Sequence, residues 1–284
     1  MQVTFYGVRG STPTPGTSTV RYGGNTVSTE VRLADGSVII LDAGTGIREL
    51  GKALLKRPAE GSMSLLLSHV HWDHILGLPF FAPVWMRGTE LSIYPVANDE
   101  QRVFARQLSM FDGVHFPVRA SDLPAVLHLV DALDAEWRIG SAIVRRIALN
   151  HPGGAQGFRI DDSDGSSIVY LTDNELVHTS PNEKLLENLA NFSRGVGLMI
   201  HDAQYLHSDM PLKLGWGHSL VDEVLELGRR SEAARLALFH HDPDRDDNAL
   251  DVIAAHASAW CADRAPHTEA LVAREGQTIN VTAR

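Results

Sequence analysis

His69, His71, Asp73 and His74 stand within six consecutive positions, in Ser68-His-Val-His-Trp-Asp-His74, directly after the apolar run Met63 to Leu67. Imidazole nitrogens and carboxylate oxygens are metal ligands, and four of them in so short a stretch exceed what a fold needs for packing. With no thiolate nearby, the set suits Zn²⁺, Mn²⁺ or Fe²⁺, and the donor types alone leave the metal open. A loop beyond a strand is free of the strand's alternation, so such a turn can aim several side chains at one point. Further candidates are scattered along the chain: His151, Asp173, His201, Asp202, His218, His240 and His241. Each is weak alone, but all lie at strand exits or in Gly-flanked loops, which points to one shared site.

The elements that must position them follow from periodicity and turn chemistry. Val27 to Leu33 and Val38 to Leu41 are β-rich runs joined through Asp35-Gly36, a hairpin signal, and the second run ends in Asp42. Gln156 to Ile160 and Ser167 to Leu171 repeat the arrangement around Asp164-Gly165 and end near Asp173. We read this as an internal duplication in which each hairpin delivers an aspartate at a strand exit. Other strands run from Ala142 to Leu149, Gly197 to Ile200 and Leu236 to Phe239, each followed by His or Asp within a few residues. Helices are expected over Ile47 to Lys56, His74 to Phe81, Ser180 to Asn191 and Leu220 to Ala233, the last with an apolar stripe of Leu220, Val221, Val224, Leu225 and Leu227. An α/β sandwich of sheets flanked by helices, with the site along one edge of strand ends, fits this order. No Pro- or Ser-rich linker divides the chain, so one domain over residues 1–284 is expected, with the irregular segment 84–136, rich in Pro and Phe, as a candidate lid.

Composition bounds the function. The 284 residues are 44% hydrophobic and 21% charged, which is globular. The N-terminus has no basic region or long apolar stretch and no run reaches membrane-span length, so a cytoplasmic enzyme without membrane contact is expected. Cys261 is the only cysteine and reads as a packed thiol, so the metal site is built without sulfur. A net charge of −10 argues against broad capture of a nucleic-acid backbone and leaves small anionic substrates open.

Ser68-His-Val-His-Trp-Asp-His74 is similar to the His-x-His-x-Asp-His signature of the metallo-β-lactamase fold hydrolases, whose four-layer αββα sandwich carries its site at the edge of two sheets. Asp42 in Leu-Asp-Ala-Gly-Thr, His151 in Asn-His-Pro-Gly-Gly, Asp173 in Leu-Thr-Asp-Asn and His240 in Leu-Phe-His-His extend the resemblance over most of the chain. It implies that His69, His71 and His151 bind one metal, that Asp73, His74 and His240 bind a second, and that Asp173 bridges them. Asp42 is then structural, and His241 competes with His240. The implied cofactors are two divalent ions, Zn²⁺ first and Mn²⁺ or Fe²⁺ as alternatives.

Met199-Ile-His-Asp-Ala-Gln-Tyr205 and Gly217-His-Ser219 resemble the paired His-Glu-Ala-Thr and Gly-His-Ser-Thr motifs of the tRNA 3′-processing endonuclease branch. By that resemblance His218 is a general acid oriented by Asp202. Independently of it, Asp73 is expected to orient the nucleophile as well as ligate, and His201 at its strand end reads as structural. Asp202 replaces glutamate and Gln204 replaces threonine. The segment Asn174 to Met199 lacks that branch's long Gly- and Lys-rich arm, which with the acidic balance makes large RNA an unexpected substrate. Gly7 to Pro13, Tyr22 to Thr26 and Phe116 to Pro124 look more like bacterial small-molecule members, including phosphoribosyl cyclic phosphodiesterases, which nominates Arg9, Ser11, Asn25, Lys213 and Trp216 for substrate contacts. The expectation is a binuclear phosphodiesterase acting on a small cyclic or nucleotide-like phosphodiester through a metal-activated hydroxide, with His218 as general acid. A lactone or carboxyl-ester hydrolase and a non-catalytic metal-dependent sensor are the alternatives, and the resemblance allows a homodimer.

Overall fold

The computed structural model describes residues 1–94, 108, 110–130, 134–176 and 183–283. In chain order the elements are β1 (Gln2–Gly7), β2 (Ser28–Arg32), β3 (Val38–Leu41), α1 (Ile47–Lys56), β4 (Met63–Leu66), α2 (Trp72–Ile75), β5 (Glu90–Tyr94), β6 (Val126–Leu129), β7 (Glu136–Ile139), β8 (Ala142–Leu149), β9 (Ala155–Asp161), β10 (Ser167–Leu171), α3 (Glu183–Phe192), β11 (Leu198–Asp202), α4 (Val221–Ser231), β12 (Arg235–Phe239), α5 (Asp247–Arg264), β13 (Glu269–Val272) and β14 (Thr278–Asn280).

Two seven-stranded sheets form, in the orders β14-β1-β2-β3-β4-β5-β6 and β13-β12-β11-β10-β9-β8-β7. In the first, β1, β2 and β3 are antiparallel, and β4, β5 and β6 follow parallel to β3. The second repeats this with β8, β9 and β10 antiparallel, then β11, β12 and β13 parallel. Both halves thus use a hairpin followed by parallel crossovers, as the paired Asp-Gly turns imply. The hairpins also touch, through Ala34 N–H donating to Asp162 Oδ2 at 2.8 Å.

Strand alternation sorts the side chains into layers. Ile39 and Leu41 of β3 meet Phe158, Tyr170, Ile200 and Phe239 of the other sheet in the central core. Val38 and Ile40 point the other way, under Ile47, Leu50 and Leu54 of α1. On the far face Val169, Leu171, Met199 and Leu238 pack beneath Leu189 of α3, Val224 of α4 and Ile253 of α5. The result is the expected four-layer αββα sandwich. No helix of the described residues is long and apolar enough to cross a membrane.

Several expectations shift. The helix expected over His74 to Phe81 is instead one turn, α2, followed by a 3₁₀ turn at Leu78–Phe80. Pro79 supplies no N–H to continue the ladder, and a Cβ on Gly77 would lie 2.0 Å from the Gly44 carbonyl, so the chain turns there against the β3 exit. Segment 84–136 contains β5 and β6 of the first sheet, so it is not a lid throughout; β6 is mostly exposed and carries little alternation to read. Pro95 and Phe104 lie outside the described residues, as do Ser180 to Asn182 at the start of the helix expected there, while Phe111 and Phe116 pack edge to face at 5.6 Å. The 18-residue α5 has no expected counterpart: its alanines blur the apolar stripe, although the Asp246 side chain accepts from Ala249 N–H as an N-cap.

Candidate metal centre

Three strand exits carry the same uncommon backbone. Asp42 after β3, Asp173 after β10 and His240 after β12 have φ of 60°, 55° and 58°, left-handed values that non-glycine residues adopt at a cost. The turn reverses the side chain from the pleat toward the edge where both sheets end. The histidine cluster follows β4 at that edge, with α2 starting at Trp72 so that Asp73 and His74 are buried.

Two sets of ligand atoms converge there. His69, His71 and His151 form one, and Asp73, His74, Asp173 and His240 the other, with the atoms of each set within 4.8 Å of one another. Asp173 faces both: Oδ1 lies 3.7 Å from His69 Nε2 and 3.8 Å from His151 Nε2, and Oδ2 lies 3.1 Å from His74 Nε2 and 3.2 Å from His240 Nε2. His71 Nδ1 and His151 Nε2 are 3.1 Å apart. Nitrogens and carboxylate oxygens facing one another in this way suit shared cations.

The far nitrogen of each ring fixes which nitrogen is free. His74 Nδ1–H donates to Asp42 Oδ2 at 2.9 Å, and His151 Nδ1–H donates to the Gly217 carbonyl at 3.0 Å. His240 Nδ1–H donates to Gln204 Oε1 at 2.9 Å. Ser68 Oγ donates to Asp42 Oδ2 and accepts from His69 Nδ1–H at 3.0 Å. In its neutral form each of these rings therefore turns an Nε2 lone pair inward, the tautomer that a metal requires. His69 Nε2 and His74 Nε2 are buried without any hydrogen-bond partner, an arrangement that costs free energy unless a cation is bound. The residues present fit a divalent metal pair.

The electrostatics agree with a cation-binding site. Burial first, and then the neighbouring His74, push His69 well below the usual histidine range, keeping it neutral. Burial opposes protonation of His74 as well, but Asp173, Asp73 and Asp42 outweigh it and raise that ring well above its ordinary value. Positive charge is what this pocket attracts. Burial pushes Asp73 and Asp173 up, yet the adjacent histidines hold both carboxylates well below their ordinary range.

Asp42 stays behind the centre, accepting from Ser68 N–H at 2.7 Å, from Tyr170 Oη–H at 2.8 Å and from His74. His241 turns away: its Nε2–H donates to the Ala273 carbonyl at 2.8 Å, and burial pushes its pKa down to about 3. His201 is locked between the Asp202 carbonyl and the Asn174 side chain, outside the centre.

His218 enters from the loop before α4. Its Nδ1 is 2.6 Å from Asp202 Oδ2, its ring stacks on His240 at 4.9 Å, and it is 8% exposed. Burial opposes its charge, but the Asp202 carboxylate outweighs that and raises the pKa to about 9. The shorter acid therefore reaches its partner. Gly217, at φ 88°, makes this entry possible: a Cβ there would lie 2.1 Å from His151 Nδ1.

Supporting residues emerge only in three dimensions. Glu175 accepts from Gly215 N–H and Gly217 N–H, pinning the His218 loop. Ser11 N–H donates to Asp73 Oδ2 at 2.8 Å. The sequence offers one faint pointer to Glu175, its place two residues after Asp173. Of the residues nominated for substrate contact, Arg9 is fully buried and donates to the carbonyls of Gly23, Asp242 and Arg245, while Asn25 is held by Glu275 and Thr45. Both serve the fold. The Arg9 guanidinium ties the loop before β2 to the loop after β12.

This chain resembles known proteins in sequence and in fold. Ribonuclease Z of Pyrococcus abyssi is 27% identical over 86% of this chain and 87% of its own length. The metallo-beta-lactamase fold protein YhfI of Bacillus subtilis superposes with a TM-score of 0.68 at 18% identity, covering 98% of each chain. A diphosphatase of the PhnP family superposes with a TM-score of 0.66 at 18% identity, covering 100% of this chain and 99% of that one. The beta-lactamase superfamily domain matches residues 38–241, and this chain therefore belongs to that superfamily, as a hydrolytic enzyme with the metallo-β-lactamase fold.

Proposed function

We propose that the chain is a binuclear metal-dependent phosphodiesterase that hydrolyses a small cyclic or nucleotide-like phosphodiester. His69, His71 and His151 would hold one divalent cation, Asp73, His74 and His240 the other, and Asp173 would serve both, in keeping with its distances to the two sets. Zn²⁺ suits these nitrogen and oxygen donors, and Mn²⁺ and Fe²⁺ are the alternatives. A cation pair in this position supplies a nucleophile from water at neutral pH and neutralises charge on phosphoryl oxygens.

The observation that carries the reading is the His218–Asp202 pair beside the ligand sets. With Nδ1 committed to Asp202, Nε2–H is the proton that His218 can give. It passes to the departing ester oxygen, and the Asp202 carboxylate has already stabilised the imidazolium that does so. Asp202 is a positioning residue, held by Gln204 N–H on one oxygen and Asn174 N–H on the other. Asp73, fixed by Ser11 N–H, orients the attacking water as well as ligating. Carbonyl substrates such as lactones have less need of a proton donor at this place.

A panel of bis(p-nitrophenyl) phosphate, 2′,3′- and 3′,5′-cyclic nucleotides, a homoserine lactone and a precursor tRNA, with Zn²⁺ or Mn²⁺, tests this. The cyclic diesters are expected to turn over, and His218→Ala to slow them by roughly 10²- to 10⁴-fold, with less loss for the p-nitrophenolate leaving group. Turnover of the lactone alone, or a His218→Ala variant as fast as wild type on cyclic diesters, sinks the reading. Cleavage of precursor tRNA alone would replace the small substrate with a large one, as the name of the Pyrococcus relative suggests.

A further inference from the structure

The loop from the His207–Asp209 3₁₀ turn to His218 carries a cation and an indole whose arrangement the hydrolytic machinery does not use. Lys213 Nζ lies 4.6 Å from the centroid of Trp216 and 5.6 Å from that of Tyr205, and the buried Tyr205 ring meets His218 edge-on at 5.5 Å. The ammonium, the two rings and the proposed proton donor thus form one contiguous set. Among the described residues no carboxylate pairs with Lys213. Two acids of this region are spent elsewhere: Glu175, after β10, on Gly215 N–H and Gly217 N–H, and Asp209 on Arg245 and Leu206 N–H. In a chain of net charge −10, an unpaired lysine resting on two aromatic rings beside a phosphate-directed centre is available to an anionic ligand. Trp216 is 56% exposed although Lys213 covers part of it, and its backbone is anchored next to Gly217 by Glu175. A half-open indole two residues from a proton donor offers a face on which a planar base can stack.

We propose that Trp216 and Lys213 form the subsite for the nucleoside portion of the substrate, Trp216 stacking the planar base and Lys213 bracing the indole and drawing in the anion. This rests on the phosphodiester reading and narrows it from small cyclic diesters in general to nucleotides. The alternative platform is Trp72, 78% exposed between His71 and Asp73.

Binding of adenosine 5′-monophosphate and of ribose 5-phosphate, measured by calorimetry on the metal-loaded protein, separates base recognition from phosphate recognition and requires no turnover. Wild type is expected to prefer the nucleotide by about tenfold, the scale of one stacked base. Trp216→Ala should bring the ratio near one, and Trp216→Phe should restore most of it. Lys213→Met should weaken both ligands. Equal affinity of wild type for the two ligands, the same preference in Trp216→Ala, or loss of the preference in Trp72→Ala but not in Trp216→Ala overturns the subsite. Matching thermal melts of the variants exclude misfolding as the cause. Should wild type show the preference yet hydrolyse no diester, the phosphodiesterase reading fails while the nucleoside subsite stands.

Discussion

Asp42 and Asp173 leave their strands in the same way and end in different trades. Each follows the second strand of an Asp-Gly hairpin, each has a left-handed backbone, and each is buried against His74. Asp42 meets the Nδ1 side of that ring, and Ser68 and Tyr170 supply further donors to it. Asp173 meets the Nε2 side, where its oxygens face bare ring nitrogens. The difference is one of surroundings: a carboxylate given protein donors on every side becomes a strut, and one facing lone pairs becomes a place for cations. Repeated topology supplies the two positions, and the residues across the sheet edge decide what each does.

The most severe way to break that contrast is to neutralise each aspartate. Asp173→Asn is expected to lower turnover by well over about 100-fold and to leave fewer than two metals per chain by elemental analysis. Asp42→Asn should still load two metals, with affinity weakened by roughly 10- to 100-fold, the usual cost of losing a partner behind a ligand. It should also lower the melting temperature of the metal-free protein, because Ser68, Tyr170 and His74 lose a charged acceptor. If both variants lose metal equally, the division into strut and bridge is wrong.

A second contrast lies within the second ligand set. His74 is braced by a carboxylate, whereas His240 is braced by the neutral amide of Gln204, whose backbone N–H also holds Asp202. Gln204→Leu is expected to weaken the second cation by about 10- to 100-fold with less effect on the first, visible as two separated steps in a metal titration. Gln204→Glu keeps the acceptor and should keep both steps close. A single unchanged titration in the leucine variant would remove Gln204 from the site.

The halves also differ in how plainly the sequence shows them. The first half concentrates its ligands in six positions, where spacing alone announces a metal. The second half scatters His151, Asp173, Asp202, His218 and His240 over ninety positions, and only the parallel order of β10, β11 and β12 brings three of their strand exits side by side. Strand exits were readable because apolar runs end abruptly in His or Asp. The braces were not, since Glu175, the Gln204 side chain and the Ser11 backbone act across separations of 36 to 62 residues through hydrogen bonds without a sequence period. Arg9 differs for another reason: the motif around it nominated it for substrate, and only the carbonyls that surround its guanidinium in three dimensions show that it serves the fold.

Protonation offers a gentler test. The Asp202 carboxylate raises His218 to about 9 despite burial, so its proton is retained through neutral pH and lost as pH rises through that value. Turnover of a cyclic diester should therefore fall on the basic side, and cations bound beside the ring move that limb to or below about 9. Asp202→Asn removes the charge that holds the proton, and the limb should shift toward acid. A limb that stays in place in this variant assigns it to another group.

The smallest effect belongs to the residue beside His240. His240 and His241 are adjacent in sequence, yet the left-handed turn at His240 sends one ring to the centre and the other to the Ala273 carbonyl. Burial keeps His241 neutral, and its ring ties the loop after β12 to the strand exit of β13 by a buried hydrogen bond and meets Tyr22 edge-on at 6.3 Å. His241→Leu leaves that carbonyl without its donor, which costs about 1–3 kcal/mol and lowers the melting temperature. Metal stoichiometry should be unchanged. His240→Leu should do the reverse to the metal count, removing one cation, because among the described residues only the His74 Nε2 nitrogen then remains beside Asp73 Oδ2 and Asp173 Oδ2. A metal deficit in the His241 variant would mean that the two rings exchange roles in solution, and that the turn at the strand exit does not by itself choose the ligand.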